Sequence, residues 1–204
     1  MALLDFPLTD PRSPVLCEND IYLRYPRAED HQAWAALRTK SRHHLQPFEP
    51  SWAEAELDRA SFRKRLRLYA RDIRRGSARP YFIFRAEDDA LVGGCTLSNI
   101  RYRAVMSGTV GYWVGEEYLR MGYGFSAVCA LAAQAFDVLR LARLEAACLP
   151  RNTASRSLLE KAGFREEGRA RSYLQICGKR EDHVLYGLLP ADHAAAIKNL
   201  SRPA

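Results

Sequence analysis

The chain has 204 residues, of which 48% are hydrophobic and 27% charged, a composition typical of one globular domain with a buried core. Its longest wholly apolar run, residues 127–133, is far shorter than the roughly 20 residues of a membrane span. Its N-terminus lacks the basic start and apolar stretch of a signal peptide, so we expect a cytoplasmic protein without membrane contact. The formal net charge of +7 favours an anionic partner, such as nucleic acid, a ribosome or a phosphorylated cofactor.

Cysteine and histidine spacing contains no metal-binding pattern. The five cysteines are odd in number, lie in apolar segments and include no C-x-x-C pair, so we expect reduced, buried thiols: Cys17, Cys95, Cys129, Cys148 and Cys177. The five histidines include the adjacent His43 and His44, but no spacing typical of a zinc site. We therefore expect no metal ion.

Hydrophobic periodicity and turn residues predict a hairpin, two helices and a connecting loop in the first part of the chain. The hairpin covers residues 15–24, and the first helix runs from residue 29 to about residue 40. A loop with two prolines covers residues 43–52. The second helix covers residues 54–75 and stops at Gly76.

The second helix carries much of the positive charge. Its apolar residues Phe62, Leu66, Tyr69 and Ile73 recur at helical spacing and predict a buried stripe. The cations of this segment are Arg63, Lys64, Arg65, Arg67, Arg71, Arg74 and Arg75. A solvated helix face and a contact with the ribosome both explain this run. We do not expect direct binding of nucleic acid, because the aromatic residues stand at core spacing and are not available to stack on bases.

The remainder of the chain is predicted to alternate strands and helices. In chain order we expect strands at 80–85, 90–100 and 109–114, a helix from about 123 to 140, a strand at 144–149, a helix closed by Gly163, strands at 172–176 and 183–189, and a short helix at 191–200. This order predicts an α/β fold with a mixed sheet of about six or seven strands and helices on both faces. We expect one domain over residues 1–204, with a core at about 15–190 and a tail at 191–204.

The most informative segment is the turn between the strand at 109–114 and the helix that follows it. Gly122 and Gly124 leave backbone N–H groups accessible, and Arg120 adds a positive charge next to the positive end of the helix. This combination predicts a site for a pyrophosphate. A Rossmann fingerprint and a Walker loop are both excluded, since the chain lacks a complete G-x-G-x-x-G and a Gly-Lys-Ser/Thr here.

A second motif covers residues 152–164, where Asn152 or Thr153 caps a helix and Gly163 ends it. Together, the glycine turn and this capped helix resemble the GNAT superfamily of N-acetyltransferases. The resemblance is strongest to its RimJ/RimL branch, and closest to RimJ-type ribosomal-protein N-terminal alanine acetyltransferases. It extends over residues 21–189, and its motifs are 111–114, 120–124, 152–164, the loop 42–50 and the C-terminal hairpin 167–185.

The resemblance implies a mostly antiparallel sheet with a splayed central strand pair, in which the pantetheine arm of acetyl-CoA lies beside the strand that ends at Val114. It implies an acetyl-CoA-dependent acyltransferase in which an amine attacks the thioester directly in a ternary complex. The two RimJ-like segments, the loop 42–50 and the hairpin 167–185, favour the N-terminal α-amine of a ribosomal protein as the acceptor. Two alternatives stay open: a small amine such as a polyamine, amino acid or antibiotic, and a non-catalytic CoA-binding module that docks on RNA or the ribosome. The chain is expected to be a monomer or a homodimer.

The resemblance also assigns roles to individual residues. Cofactor contacts fall on Trp113, Val114, Arg120, Met121, Gly122, Tyr123, Gly124, Phe125, Ser126, Asn152 and Ser155. Ser155 is the candidate that gives a proton to the leaving thiolate, although a serine in a first helical turn also has a purely structural use. Candidates for taking the proton of the amine are Glu49, Asp182 and His183, with a water chain as the alternative. The acceptor site is expected to be lined by His43, Phe48, Glu49 and Tyr173.

The chain departs from the superfamily pattern at its catalytic positions. Thr109 and Val110 lie where many members carry a glutamate base on the strand before the turn. Leu159 replaces the usual tyrosine acid, and Leu174 falls where RimL has a second carboxylate. The resemblance therefore assigns no general base.

Overall fold

The computed structural model describes residues 16–200, except for the side chains of Cys17 and Leu200. In this range eight strands form one sheet. The strands are β1 (Leu16–Glu18), β2 (Ile21–Arg24), β3 (Arg79–Arg85), β4 (Leu91–Arg101), β5 (Ser107–Val114), β6 (Arg143–Cys148), β7 (Arg165–Ile176) and β8 (Lys179–Leu188). Residue 15 of the predicted hairpin and residues 201–204 of the predicted tail lie outside the described residues.

Six α-helices accompany the sheet in the described part of the chain. They are α1 (His31–Lys40), α2 (Arg42–Leu45), α3 (Arg59–Arg74), α4 (Tyr123–Ala133), α5 (Thr153–Lys161) and α6 (Pro190–Leu200). Short 3₁₀ turns lie at Ala28–Asp30, Gln46–Phe48 and Glu116–Tyr118, and a π-helical segment, Gln134–Val138, extends α4. None of the helices within residues 16–200 is long and apolar enough to span a membrane.

The centre of the sheet contains its one parallel pair among the described strands. The order is β1-β2-β3-β4-β5-β6-β8-β7, and all neighbours are antiparallel except β5 and β6. That pair is joined only between Ser107–Thr109 and Arg143–Glu145. Beyond Thr109 the two strands diverge, which leaves a gap between residues 110–114 and 146–148. The predicted mixed, mostly antiparallel fold with a splayed pair is confirmed.

The two faces of the sheet are covered by different helices. Strand β3 alternates between them, because successive side chains of a strand point to opposite faces. Ile83 packs in a cluster with residues of α4, whereas Phe82 packs in a second cluster with Trp34 of α1 and Phe62 of α3. Helices α1 and α3 therefore share one face, and α4 covers the other.

The structure corrects three predicted elements. The loop at 43–52 contains α2 and a 3₁₀ turn, and α3 begins at Arg59 rather than at residue 54. Strand β7 begins at Arg165, seven residues before its predicted start at 172, and it is bent by register shifts at Glu166/Gly168 and Ala170/Leu174. These irregularities interrupt the alternation of apolar and polar residues from which a strand is predicted.

Candidate active site

The gap between β5 and β6 opens into a cavity of about 1090 Å³. Strand residues 110–114 and 146–149 form its inner walls, and the N-terminal ends of α4 and α5 lie along one side. The rest of the wall is formed by residues between 44 and 50 and by the tip of the β7–β8 hairpin. The two sequence motifs and the two acceptor segments thus meet in one cavity.

The N-terminal end of α4 has the geometry of an anion site. Gly122 caps the helix at φ +85°, and a side chain added there would meet no atom within 4 Å. The first helical hydrogen bond runs from the Ser126 N–H to the Gly122 carbonyl, so the N–H groups of Tyr123, Gly124 and Phe125 have no acceptor within the helix. Free N–H groups at a helix N-terminus suit the pyrophosphate of CoA.

Gly124 is needed for close packing. A Cβ atom at this position would lie 3.1 Å from Leu158 Cδ1 and 3.2 Å from Val114 Cγ2. The missing side chain therefore brings α4 close to α5 and β5 at the inner end of the turn. Gly122 thus leaves space open toward the cavity, and Gly124 allows α4, α5 and β5 to pack closely together.

Most residues predicted to hold the cofactor line this cavity: Trp113, Val114, Arg120, Gly122, Tyr123, Gly124, Phe125, Asn152 and Ser155. Two do not. Met121 is 55% exposed and does not line the cavity, and Ser126 is buried, where its hydroxyl accepts a hydrogen bond from Asn19 Nδ2 at 3.0 Å. Ser126 holds β1 and β2 against α4, so we no longer expect it to contact the cofactor.

Ser155 is fixed in the first turn of α5. Its backbone N–H donates to Asn152 Oδ1 at 3.1 Å, the capping bond expected of Asn152. Its hydroxyl lies 2.8 Å from the Tyr112 hydroxyl, which also approaches the Ser155 carbonyl at 3.3 Å. If Tyr112 donates this hydrogen bond, the proton of Ser155 is left available to the cavity.

Tyr112 is a site residue that the sequence reasoning missed. Burial raises the pKa of its hydroxyl, so Tyr112 stays protonated at neutral pH and remains able to donate. Burial also raises the pKa of the Cys148 thiol, which lines the cavity beside Ser155. A tyrosine that alternates with Val110 and Val114 on a strand has the pattern of a core residue, and the sequence offers no other signal for it.

Glu49 lies in the cavity wall, but its carboxylate is already engaged. Arg38 donates to both oxygens, at 3.3 Å and 2.5 Å, and Trp52 Nε1 donates to Oε2 at 2.7 Å. The Arg38 guanidinium is buried and lies 4.2 Å from the centre of the Trp52 ring. Glu49 therefore anchors the loop over the cavity, and we no longer expect it to accept the proton of the amine.

His183 is the proton-acceptor candidate that the structure brings to the cavity. It is buried, its Nδ1 lies 3.0 Å from the Glu181 carbonyl, and its ring meets Tyr173 edge-on at 5.7 Å between centroids. With Nδ1–H donating to that carbonyl, Nε2 carries the free lone pair. Asp182 does not line the cavity, because it accepts the Ser172 N–H at 2.9 Å and holds the bend in β7.

Of the four residues predicted to line the acceptor site, two line the cavity and two do not. Phe48 and Glu49 line the cavity, whereas His43 and Tyr173 do not. The His43 side chain is 78% exposed and contacts Glu116 at 3.1 Å, and the adjacent His44 lines the cavity in its place. Side chains that the sequence reasoning missed at the hairpin tip are Leu174, Gln175 and Arg180.

The hairpin tip is joined to the loop through Cys177. Its backbone N–H donates to the Glu49 carbonyl at 3.2 Å, and its thiol donates to the Gln46 carbonyl at 3.0 Å. Cys177 is exposed, whereas Cys95, Cys129 and Cys148 are buried, so the expectation of a buried thiol is wrong at this position. The side chain of Cys17 lies outside the described residues.

The charges of the cavity wall are mainly positive. Glu49 is the only carboxylate among the described lining residues, and it is paired with Arg38. The cations and histidines of the wall are His44, Arg120, Lys161, Arg180 and His183. Within residues 16–200, no cluster of three histidine, cysteine or acidic side chains is arranged to bind a metal ion.

Comparison with known proteins now places the chain. The sequence profile described as the acetyltransferase (GNAT) domain matches residues 20–165. The chain belongs to the GNAT acetyltransferase family. It is 32% identical over 172 residues to the probable N-acetyltransferase YjcK of Bacillus subtilis, a match that covers 84% of this chain and 95% of that protein.

The RimJ/RimL branch is supported by both sequence and structure. The chain is 30% identical to the [ribosomal protein uS5]-alanine N-acetyltransferase of Escherichia coli, over 80% of this chain and 85% of that enzyme. It superposes on Mycobacterium smegmatis RimJ in complex with CoA-disulfide with a TM-score of 0.83 and 30% identity, over 89% of this chain and 90% of that one. This GNAT enzyme is thus an acetyl-CoA-dependent N-acetyltransferase of the RimJ/RimL type.

Proposed function

We propose that this GNAT enzyme acetylates the N-terminal α-amine of a protein, with ribosomal proteins as the substrate class. The observation that carries the proposal is the acceptor end of the cavity, which lies between the loop at 44–50 and the hairpin tip at 174–180. These two segments are joined by the hydrogen bonds of Cys177 to Glu49 and Gln46, and together they would form the wall along which an extended chain end enters the cavity. The E. coli relative is named for alanine acetylation of ribosomal protein uS5.

The charge of the cavity favours a protein terminus over a polyamine. A polyamine carries several positive charges and requires carboxylates along its path. Here the acceptor end presents Arg180 and His44, and its one described carboxylate, Glu49, is neutralised by Arg38. A peptide brings a single amine followed by neutral amides, so it meets less repulsion.

The residues at the inner end fit the cofactor. Acetyl-CoA supplies the acetyl group as a thioester. The free N–H groups of α4 and Arg120 would hold its pyrophosphate, and the unpaired edge of β5 at Trp113 and Val114 would bind its pantetheine arm. Asn152 Oδ1 caps α5, which leaves the Asn152 amide nitrogen free to bind the same arm.

Ser155 would donate a hydrogen bond to the sulfur of the leaving thiolate and pass it a proton, which Ser155 Oγ then regains from water. The Tyr112 and Ser155 hydroxyl oxygens lie 2.8 Å apart, and with Tyr112 as the donor it would orient the Ser155 hydroxyl and make its proton more acidic. This pair takes the place of the tyrosine that Leu159 replaces in α5. In this scheme, Tyr112 is a positioning residue and Ser155 is the catalytic residue.

His183 would take the proton that the α-amine loses. The unperturbed pKa of an N-terminal α-amine is about 8, so a useful fraction is neutral near pH 7 and a strong base is not required. The Glu181 carbonyl fixes the imidazole through Nδ1 and so presents Nε2 as the acceptor. His183 lines the same cavity wall as Leu174 and Arg180.

The proposal is tested by release of free thiol from acetyl-CoA with a panel of acceptors. The panel contains peptides that begin with Ala, Ser or Met, the same peptides with a blocked N-terminus and a free lysine, and the small amine spermidine. We expect turnover of the free-terminus peptides, with a preference set by the first residue. The blocked peptides control for acetylation of lysine.

Turnover of spermidine alone would contradict the proposed substrate and assign the enzyme to small amines. Binding of CoA without turnover of any acceptor would favour the non-catalytic module. Neither outcome would change the assignment to the GNAT family or the assignment of acetyl-CoA as cofactor, since both assignments rest on observations other than the acceptor site.

A further inference from the structure

We propose that the exposed face of α3 binds the phosphate backbone of RNA. The surface consists of six cations that project from the helix and its C-terminal end: Arg59, Arg63, Lys64, Arg67, Arg74 and Arg75. All six are exposed. We call this surface the α3 basic face.

The α3 basic face is a continuous stripe. At about 100° per residue, these six positions fall within an arc of about 160° around the helix. The opposite side of the helix carries Phe62, which is buried against Trp34 and Phe82 in the second core cluster. Packing of the apolar side therefore fixes the direction in which the cations point.

The cations of the α3 basic face have no acidic partners among the described residues. The two ion pairs that α3 does form use other cations: Arg71, which lies within the same arc, contacts Asp72, and Arg65 contacts Glu56. Arg65 also lies over the Trp34 ring at 5.4 Å, so it belongs to the packed side. The six remaining charges are free to meet an external anion.

This arrangement is unfavourable for the helix itself. Arg59, Arg63 and Arg67 follow one another at intervals of four residues, where like charges repel by about 0.2–0.5 kcal/mol per pair. The first turn of α3 contains no acidic residue to complement the helix dipole. A solvent-exposed helix selected for stability alone would carry acidic residues between its basic ones. This face of α3 carries none.

The chemistry of the face indicates what it binds. Leu68, which is 41% exposed, is the large apolar residue of α3 that is exposed to solvent. The face therefore lacks the apolar centre that is typical of a protein–protein interface. It also lacks the row of apolar side chains with which an amphipathic helix inserts into a membrane. The face carries no aromatic residue for base stacking. Closely spaced arginines without aromatic neighbours are suited to bind the phosphodiester backbone of a nucleic acid, independently of its base sequence.

The choice of RNA over DNA rests on the proposed function. A ribosomal protein lies next to ribosomal RNA during assembly, so a backbone-binding surface would keep the enzyme near its acceptor. The surface is separate from the cavity, because none of its six cations lines the cavity wall. Binding and catalysis can therefore be measured independently.

The experiment is a fluorescence-anisotropy titration of a labelled 20-nucleotide RNA with the full chain, without acetyl-CoA, over a series of KCl concentrations. If all six cations contact phosphates, log Kd changes with log [KCl] with a slope of magnitude about 4. The triple variant Arg63→Gln, Arg67→Gln, Arg74→Gln should reduce that slope by about 2 and weaken binding on the order of 50-fold at 0.15 M salt. Glutamine preserves helix propensity, and circular dichroism checks that α3 remains folded.

The matched control is Arg169→Gln, Arg171→Gln, Lys179→Gln, which removes the same charge from exposed positions on the β7–β8 hairpin. The control should bind RNA like the parent chain. Equal losses in both triple variants would show that only net charge matters and would overturn the α3 basic face as the site. Absence of salt-dependent binding by the parent chain would also overturn the proposal.

A duplex DNA of the same length forms the third arm. Tighter binding to DNA than to RNA would contradict the choice of RNA. Acetylation of a free-terminus peptide by the α3 triple variant should equal that of the parent chain, which separates the two proposals. An enzyme that acetylates no peptide but binds RNA through α3 would refute only the proposed function.

Discussion

Ser155 is held at both its backbone and its side chain. Asn152 fixes the N–H, and Tyr112 fixes the hydroxyl at 2.8 Å, so the rotamer of the serine is determined before any ligand binds. A preoriented donor avoids reorganisation during the reaction. This feature distinguishes Ser155 from Ser157, the other serine of α5.

We expect Ser155→Ala to lower kcat by roughly 100-fold, the contribution of one positioned proton donor, while the KM for acetyl-CoA stays within about twofold. Tyr112→Phe should lower kcat less, because the serine remains. Steady-state kinetics of thiol release measures both variants.

The matched control is Ser157→Ala, which lies on the same helix and in the same cavity wall but is exposed and not bound to Tyr112. It should retain the parent kcat. An unchanged kcat for Ser155→Ala would remove this residue from the reaction.

At the level of single residues, the sequence predicted the motifs better than the directions of side chains. The whole run from Arg120 to Ser126 was assigned to the cofactor, but helical geometry turns Ser126 toward Asn19, and Met121, in the turn before α4, is exposed to solvent. His43 was chosen where His44 lines the cavity. A motif identifies a segment of the chain. The direction in which each side chain of that segment points depends on where the helix begins, which the sequence does not define accurately enough.

In the loop between α1 and α3, the ion-paired carboxylate of Glu49 joins several elements around the cavity. Glu49 joins Arg38 of α1 to Trp52, and its carbonyl receives the Cys177 N–H from the hairpin tip. These bonds place the loop and the hairpin on the same side of the cavity. Loss of the carboxylate charge leaves the buried Arg38 without its partner.

We therefore expect Glu49→Gln to raise the KM for the peptide several-fold while kcat changes by less than about threefold. The physical reason is a loosened loop rather than a lost base. The pH dependence of kcat should keep its shape. Glu54→Gln serves as the control, because Glu54 is an exposed carboxylate of the same segment with no partner among the described residues.

If Glu49→Gln instead lowered kcat by roughly 100-fold or more and altered the pH profile, Glu49 would be restored as the general base, against His183. Denaturation curves of both variants show whether the change reaches beyond the loop.

At the level of elements, regular segments were predicted and irregular ones were not. The strands β3, β4 and β5 alternate or carry continuous apolar runs, and their predicted bounds lie within two residues of the observed ones. Strand β7 is mostly exposed and bent at Ser172, which has φ +49°, so its apolar pattern is too weak to indicate a strand from residue 165. The contact of Cys177 with Gln46 joins residues 131 positions apart and has no local signal.

The whole molecule depends on a sheet with two packed faces. Tyr81 of β3 is buried on the α4 face, where its hydroxyl donates to Gln134 Oε1 at 2.6 Å. Burial raises the pKa of this hydroxyl, so it remains a donor over the physiological range. The bond joins the sheet to the π-helical segment that follows α4.

We expect Tyr81→Phe to reduce the free energy of unfolding by about 1–3 kcal/mol, because Gln134 is left buried without its donor. Urea denaturation measures this as a lower midpoint with an unchanged slope. Tyr22→Phe is the control: its hydroxyl bonds to Asp89 at 2.8 Å in an exposed position, and water replaces the lost group. Equal losses in the two variants would show that burial does not determine the cost.

The overall architecture was predictable because the order of elements and two motifs together match one family. The splayed central pair came from that resemblance, whereas the parallel pairing of β5 with β6 and the divergence after Thr109 were not predicted, since nothing in either strand's own residues indicates them. The positive charge of the cavity wall was not predicted. It arises from residues far apart in sequence, such as Arg120 and Arg180, that only the fold brings together.

The divergence of β5 and β6 leaves a row of backbone donors and acceptors unpaired in the middle of a sheet. An edge of this kind invites association with other strands unless something covers it. A ligand that binds only the folded state adds to stability in proportion to the logarithm of its concentration, about 2.7 kcal/mol at 100 times its Kd. The supply of coenzyme in the cell would thus set the lifetime of this protein as well as its rate of turnover, and a starved cell would hold a more fragile population of the enzyme.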